Sequence, residues 1–222
     1  MSHAKFFSVF YNSTFKELHI TDGDAGSKTG RYLLQMPDHP LPAELDVSSY
    51  DAVIDIPLTS VAFTQTSSLP FFELLGVRST MHKITLPASS LSSPCLHEMA
   101  EDGSFHVGDW SEHTIDETDF NVDVTFGSKY SDQTNLMDDD SAFLPFDEWN
   151  EPSILGQEEY LKLASIFYNE EEAANEIFGQ IEARLDCVGH NTEEYLKFHD
   201  EITEKVRASP SHTCSDTCVV LS

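Results

Sequence analysis

Positive charge is what this sequence has least of. Lys and Arg total 12 against 39 Asp and Glu, a formal net charge of −27 over 222 residues. Such a surface repels phosphate backbones, which excludes nucleic acid as a partner, while leaving cations and cationic ligands welcome. Long apolar runs are also missing, so the sequence predicts no membrane span. Met1-Ser2-His3-Ala4-Lys5 is not followed by a signal-type apolar core, because Phe6 to Tyr11 is too short and too aromatic. That leaves either a cytosolic protein or a chain whose precursor began earlier. The GxSxG, HExxH, GxGxxG and P-loop patterns are absent, and the ten histidines form no HxH or HxxxH pair. No nucleophile–base pair or histidine cluster speaks for an enzyme, and the expectation is a binding protein.

Cysteine is sparse. Cys95, Cys187, Cys214 and Cys218 contain no CxxC pair, so neither a zinc knuckle nor a thioredoxin-type motif is expected. One or two disulfides and four free thiols both stay open; Cys214 and Cys218 could pair only if the tail is not a regular strand. His106 and His113 flank Trp110, a weak hint of a metal site against two ordinary surface histidines. Asp138-Asp139-Asp140 lacks the glycine and glutamate spacing of a calcium loop and reads as a solvated linker.

What is present is globular: 40% hydrophobic residues, enough to bury a sizeable core. Residues 5–11, 15–20 and 31–36 alternate as strands separated by turn clusters and predict an antiparallel N-terminal ribbon. Val53 to Ile56 and Val61 to Phe63 supply the strand of a βα unit. Its helix starts at Pro70, carries Phe71, Phe72, Leu74 and Leu75, and stops at Gly76. Strands follow before Thr85, at Val122 to Phe126 and at Phe143 to Phe146, whereas Ala88 to Pro94 reads as a Ser-rich loop. Beyond residue 150 the pattern turns helical. One face holds Leu161, Ala164, Phe167 and Tyr168, a second Ala174, Ile177, Phe178, Ile181 and Leu185, and a third Tyr195, Phe198, Ile202 and Val206. The fold class expected is therefore α/β: an N-terminal β-ribbon, a small parallel sheet flanked by helices, and one long or nearly continuous helix from about residue 170 to 206.

In open α/β sheets, ligands bind beyond the carboxyl ends of the strands. Four segments would meet there: Thr64 to Ser68, the loop around Trp110, Gly127 to Tyr130, and Trp149 to Glu151. The first offers hydroxyls and the free amides of a helix start, suited to a carboxylate, phosphate or amide. The others offer two tryptophans and a tyrosine as flat apolar walls. The competing reading makes Trp110 and Trp149 core residues and Ser67 or Ser68 a simple helix cap.

The stretch VAFTQTSSLPFFELLGVRSTMHKIT resembles the first βα unit of the class III (cluster A) substrate-binding proteins of ABC importers, a family that includes vitamin B12 and siderophore binders. GDWSEHTIDETDFNVDVTFG is similar to its next unit, and FLPFDEWNEPSILGQEEYLKLASIFYNEEEAANEIFGQIEARL to its third strand and the backbone helix joining its two lobes. The likeness covers about residues 50–205, and the acidic surface and N-terminal ribbon resemble the eukaryotic algal branch. It implies a small-molecule ligand (cobalamin, a ferric siderophore or a related metal chelate), no resident cofactor, and an extracellular, cell-surface or periplasmic-type location. It implies ligand contacts from Thr66, Ser67, Ser68, Trp110, Lys129, Tyr130 and Trp149, and docking of a membrane transporter at Asp116. It divides the chain into a binding lobe (1–150), a helical spine (151–209) and the start of a missing second lobe or a disordered tail (210–222). A lone lobe would then bind weakly. Ala88-Ser89-Ser90-Leu91 lacks the aromatic of the B12 binder at that loop, which points away from B12 in particular. A metal-ion-binding protein of the same fold and a non-binding fragment are the alternatives.

Overall fold

A computed structural model describes residues 2–21, 30–108, 122–128 and 142–208, with side chains up to residue 200. The chain divides into two units, residues 1–178 and 179–222.

Two sheets organise the first unit. Strands β1 (Phe7–Tyr11), β2 (Phe15–Ile20), β3 (Gly30–Gln35) and β4 (Ala52–Asp55) form a sheet in that order. β1, β2 and β3 are antiparallel, as the alternation predicts, but β4 joins β3 in parallel, Tyr32 opposite Ala52. This corrects the sequence reading: Ala52–Asp55 extends the ribbon, and only Val61–Phe63 opens the parallel sheet. Leu18, Leu33 and Leu34 are fully buried in this sheet.

The second sheet contains β5 (Val61–Phe63), β6 (Met81–Ile84), β7 (His106–Val107), β8 (Val124–Gly127) and β9 (Ala142–Pro145). All four pairings are parallel, and the spatial order is β7-β6-β5-β8-β9. β5 is central. Its three residues are all buried, as are the four of β8, which is why these strands read as continuous apolar runs rather than alternating ones. The ladder continues one residue past the strands: the amides of Thr64, Thr85, Gly108 and Phe146 donate to Phe126, Phe63, Ile84 and Gly127. At the opposite end the Asp123 carboxylate accepts from the amides of Thr59 and Ser60 at 2.7 and 2.9 Å, tying β8 to the start of β5.

Among the described residues five α-helices accompany the sheets: α1 (Leu69–Leu74), α2 (Pro94–Asp102), α3 (Ile154–Glu158), α4 (Tyr160–Ser165) and α5 (Glu171–Ala208). α1 has Pro70 in its first turn and ends before Gly76, whose φ of 75° is the left-handed conformation that glycine takes without strain. The three apolar patterns after residue 150 become α4, the turn leading out of it, and the single 38-residue α5. Ala174 and Phe178 on α5 are buried, whereas Val188, Tyr195, Leu196 and Phe198 face solvent rather than a core.

The core of the first unit is aromatic. Phe72 of α1 packs against Phe63 and Phe126 with ring centroids 4.9 and 4.8 Å apart, Phe126 against Phe167 at 5.3 Å, and Phe146 against Tyr160 at 5.1 Å. Phe7 of β1 meets Tyr160 edge-on at 5.0 Å, carrying the cluster into the first sheet. Such pairs add about 0.5–1.5 kcal/mol each beyond area burial.

Polar side chains fasten the outer segments to this core. Lys16 on β2 is buried, and its ammonium donates to the Ile166 carbonyl and the Asn169 amide oxygen, both at 2.8 Å, and to the Glu171 carboxylate. Its three donors thus fix the α4–α5 connection, where Asn169 has a φ of 57°. Glu159 and Glu151 hold the N-terminal segment: Glu159 accepts from the amides of Ser2, His3 and Ala4, and Glu151 from those of Lys5 and Phe6.

Candidate ligand site

The order β7-β6-β5-β8-β9 reverses direction at one place. The chain leaves β5 towards β6 and β7 on one side and resumes with β8 and β9 on the other. In α/β sheets of this winding, ligands bind at such a switch point beyond the carboxyl ends of the strands, here the ends of β5 and β8.

Thr64 and Gly127 meet closely at this point. A Cβ added to Gly127 would lie 2.0 Å from the Thr64 hydroxyl, so only glycine lets β8 approach this closely. Thr64 is buried, and among the described residues its hydroxyl has no hydrogen-bond partner.

The next residues lace the β5 loop to the loop after β9. The Gln65 side-chain amide donates to the Phe146 carbonyl and, at 3.4 Å, to Glu148 Oε2. Ser67 is exposed, and its hydroxyl lies near enough to the Glu148 carboxylate to favour its ionised form. Glu148 is itself buried, on the 3-10 turn Glu148–Asn150. Burial pushes its carboxyl above the usual range, the Ser67 hydroxyl and a backbone bond draw it down, and Asp147 adds to the rise. Trp149, next on the turn, is 51% exposed. Tyr160, beneath this turn, stays protonated because of burial first and then the carboxylates of Glu151, Asp147 and Glu148.

Of the residues expected at the site, Thr66 and Ser67 stand on the β5 loop, and Trp149 stands on the turn after β9 rather than in the core. Ser68 does not fit a ligand-facing role. It is fully buried with helical backbone angles, it caps no helix amide, and its hydroxyl donates back to the Gln65 carbonyl at 3.3 Å. The six-residue α1 also offers no anion site of the kind expected at its start. Trp110, Asp116, His113, Lys129, Tyr130 and the Asp138–Asp140 run lie outside the described residues. Gln65 and Glu148 were not anticipated: one glutamate among 39 acidic residues carries no local signal.

His106 sits on β7, and among the described residues no group of three or more His, Cys, Asp or Glu is arranged to hold a metal ion. Cys95 and Cys187 are free and exposed, and Cys214, Cys218 and the strand expected around them lie outside the described residues. Among the described residues no helix is long and apolar enough to cross a membrane.

A concavity of about 200 Å³ is lined by Tyr11, Lys162, Ser165, Glu171 and Asn175. Its charges are answered within the protein: Lys162 pairs with Glu159 at 3.1 Å and lies 4.0 Å over the Phe178 ring, and Glu171 pairs with Lys16. No family model matches the chain, and no curated protein matches it.

Proposed function

We propose that this chain binds a small nutrient ligand (cobalamin, a ferric siderophore or a related metal chelate) for uptake, in the manner of the class III substrate-binding proteins its segments resemble. The observation that carries the reading is the strand order. It gives the sheet one reversal point, and the hydroxyl- and amide-rich loop after β5 meets the Trp149 turn beside it. Thr66, Ser67 and Trp149 would contact the ligand from the described part of the chain, with Trp110, Lys129 and Tyr130 completing the walls. Asp116 would serve the docking of a membrane transporter.

Thermal-shift titration with cyanocobalamin, ferrioxamine B, ferric enterobactin, haemin and Zn²⁺ tests this directly. A bound ligand stabilises the fold by RT ln(1 + [L]/Kd), about 2.7 kcal/mol at a hundredfold excess over Kd. For a domain of this size that shifts Tm by several degrees. A shift with a chelate or cobalamin supports uptake binding, and a shift with Zn²⁺ alone favours a metal-ion binder of the same fold. No shift with any of the five removes the proposal.

A further inference from the structure

The apolar positions of α5 beyond residue 180 follow a rule stricter than helical periodicity. Steps of four and three alternate without a break through Ile181, Leu185, Val188, Thr192, Tyr195 and His199, and the sequence continues them to Ile202 and Val206. A repeat of 3.5 residues drifts by about 20° per heptad around a straight helix, and it stays on one seam only when helices wind around each other. The pattern therefore specifies an α-helix as the covering element. Its polar members, Thr192 and His199, stand four and three residues from Val188, Tyr195 and Ile202, at alternate seam layers, the kind of position where a polar residue sets register.

The seam lies in the second unit, residues 179–222, and is uncovered there. Val188, Tyr195 and the flanking Leu196 and Phe198 are 61%, 66%, 54% and 62% exposed. Among the described residues no other helix approaches the length needed, since α1 to α4 have nine residues or fewer. Each stretch of the chain outside the described residues is also shorter than the seam. The charges indicate which helix fits. On the seam and its two flanks from 181 to 199 Glu182 is the single acid, while Asp186, Glu193, Glu194 and Asp200 fall on the outward side. A basic partner would be met by acids along the flanks. In a chain of net charge −27, flanks cleared of acid and filled instead by Leu196 and Phe198 suit a surface of the same charge and the same apolar stripe.

We propose that α5 is a self-association helix, and that further copies of this chain cover its 181–206 face by winding their own α5 against it. The area suffices. With roughly 150–250 Å² per aromatic side chain, Tyr195 and Phe198 alone leave on the order of 100–150 Å² each to be covered. Doubled across two copies and joined by Val188 and Leu196, the contact reaches about 1,000 Å², the size at which specific interfaces begin. This assignment is independent of the ligand-binding function proposed above.

The test is the mass of the whole chain by sedimentation equilibrium, from about 1 to about 100 µM, because an assembly of copies responds to concentration. A mass of two or more times 24.9 kDa is expected, and it should persist or rise when salt screens the repulsion between acidic copies. Val188→Glu with Tyr195→Glu sets acids on the seam at exposed positions and should return the mass to that of one copy. Asp186→Lys with Glu193→Lys, on the outward side, should leave the assembly intact. Circular dichroism of each variant checks that the helix is retained. A single-copy mass for the unaltered chain across the whole range overturns the proposal. So does an assembly that survives the seam substitutions, or one that dissociates as salt is raised.

Discussion

Replacing Glu159 with Gln should remove a pH-dependent part of the stability of this fold. The Glu159 side chain has no solvent exposure. Burial alone would raise its pKa, but the amides of Ala4, Ser2 and His3, at 2.7, 2.9 and 2.8 Å, and the Lys162 ammonium at 3.1 Å outweigh that and hold the carboxyl down to about 2. Against an ordinary value of 4.5, that depression corresponds to about 3 kcal/mol of stability at pH 7. Because the folded pKa is the lower one, the stabilisation is complete above the unfolded value and is lost as pH falls through the folded value. Gln keeps the shape but turns an NH₂ group towards three N–H donors. Urea unfolding of both proteins between pH 7 and pH 2 isolates this residue from the other acids, which titrate in both. The expected gap is about 3 kcal/mol at pH 7 and less than about 1 kcal/mol near pH 2, with equal m-values. A gap that does not change with pH, or one under about 1 kcal/mol at pH 7, would refute the assignment of the N-terminal segment to this carboxylate.

Two further substitutions probe how the outer segments are attached. Lys16→Met removes all three donors from the α4–α5 connection and should cost about 3–5 kcal/mol in urea unfolding; adding Glu171→Gln should cost less than its effect alone, since the pair is already broken. Gly108→Ala sets a Cβ 2.1 Å from the Thr85 carbonyl oxygen, a backbone atom that cannot swing aside, and should lower stability by about 1–3 kcal/mol by the same assay.

The apolar runs placed most of the strands, because a central parallel strand needs apolar side chains on both faces, and Val61–Phe63 and Val124–Gly127 supply them. Ala52–Asp55 misled because its partner is not written locally. Only Ile54 of its four residues is buried, and the strand is completed by β3, about twenty residues earlier. α2 was passed over for a related reason. Ser93 caps it, Pro94 opens it and Gly103 closes it with a φ of 81°, so its punctuation is complete, but its apolar stripe is only Leu96, Met99 and Ala100, of which Leu96 alone is buried. At α5 the expected long helix formed. Tyr195 and Phe198 have helical spacing and the helix is there, yet both side chains are exposed, because periodicity reports a face and not what covers it.

The site divides along the same line between local and non-local information. A strand followed by four hydroxyl or amide residues and a proline is a local sentence, and it marked the β5 loop. Even there the individual roles depended on neighbours: Ser67 is exposed while the adjacent Ser68 is buried and turns in to the Gln65 carbonyl. Nothing in the hydroxyl run distinguishes the two, since the helix that follows sets their directions. Glu148 becomes distinctive only once β8 lies beside β5 and β9 beside β8, which brings residues 65 and 148 into contact across more than eighty positions of sequence. The acidity that makes the chain conspicuous as a sequence is what concealed this glutamate, and its contact with the β5 loop is what separates it from the others.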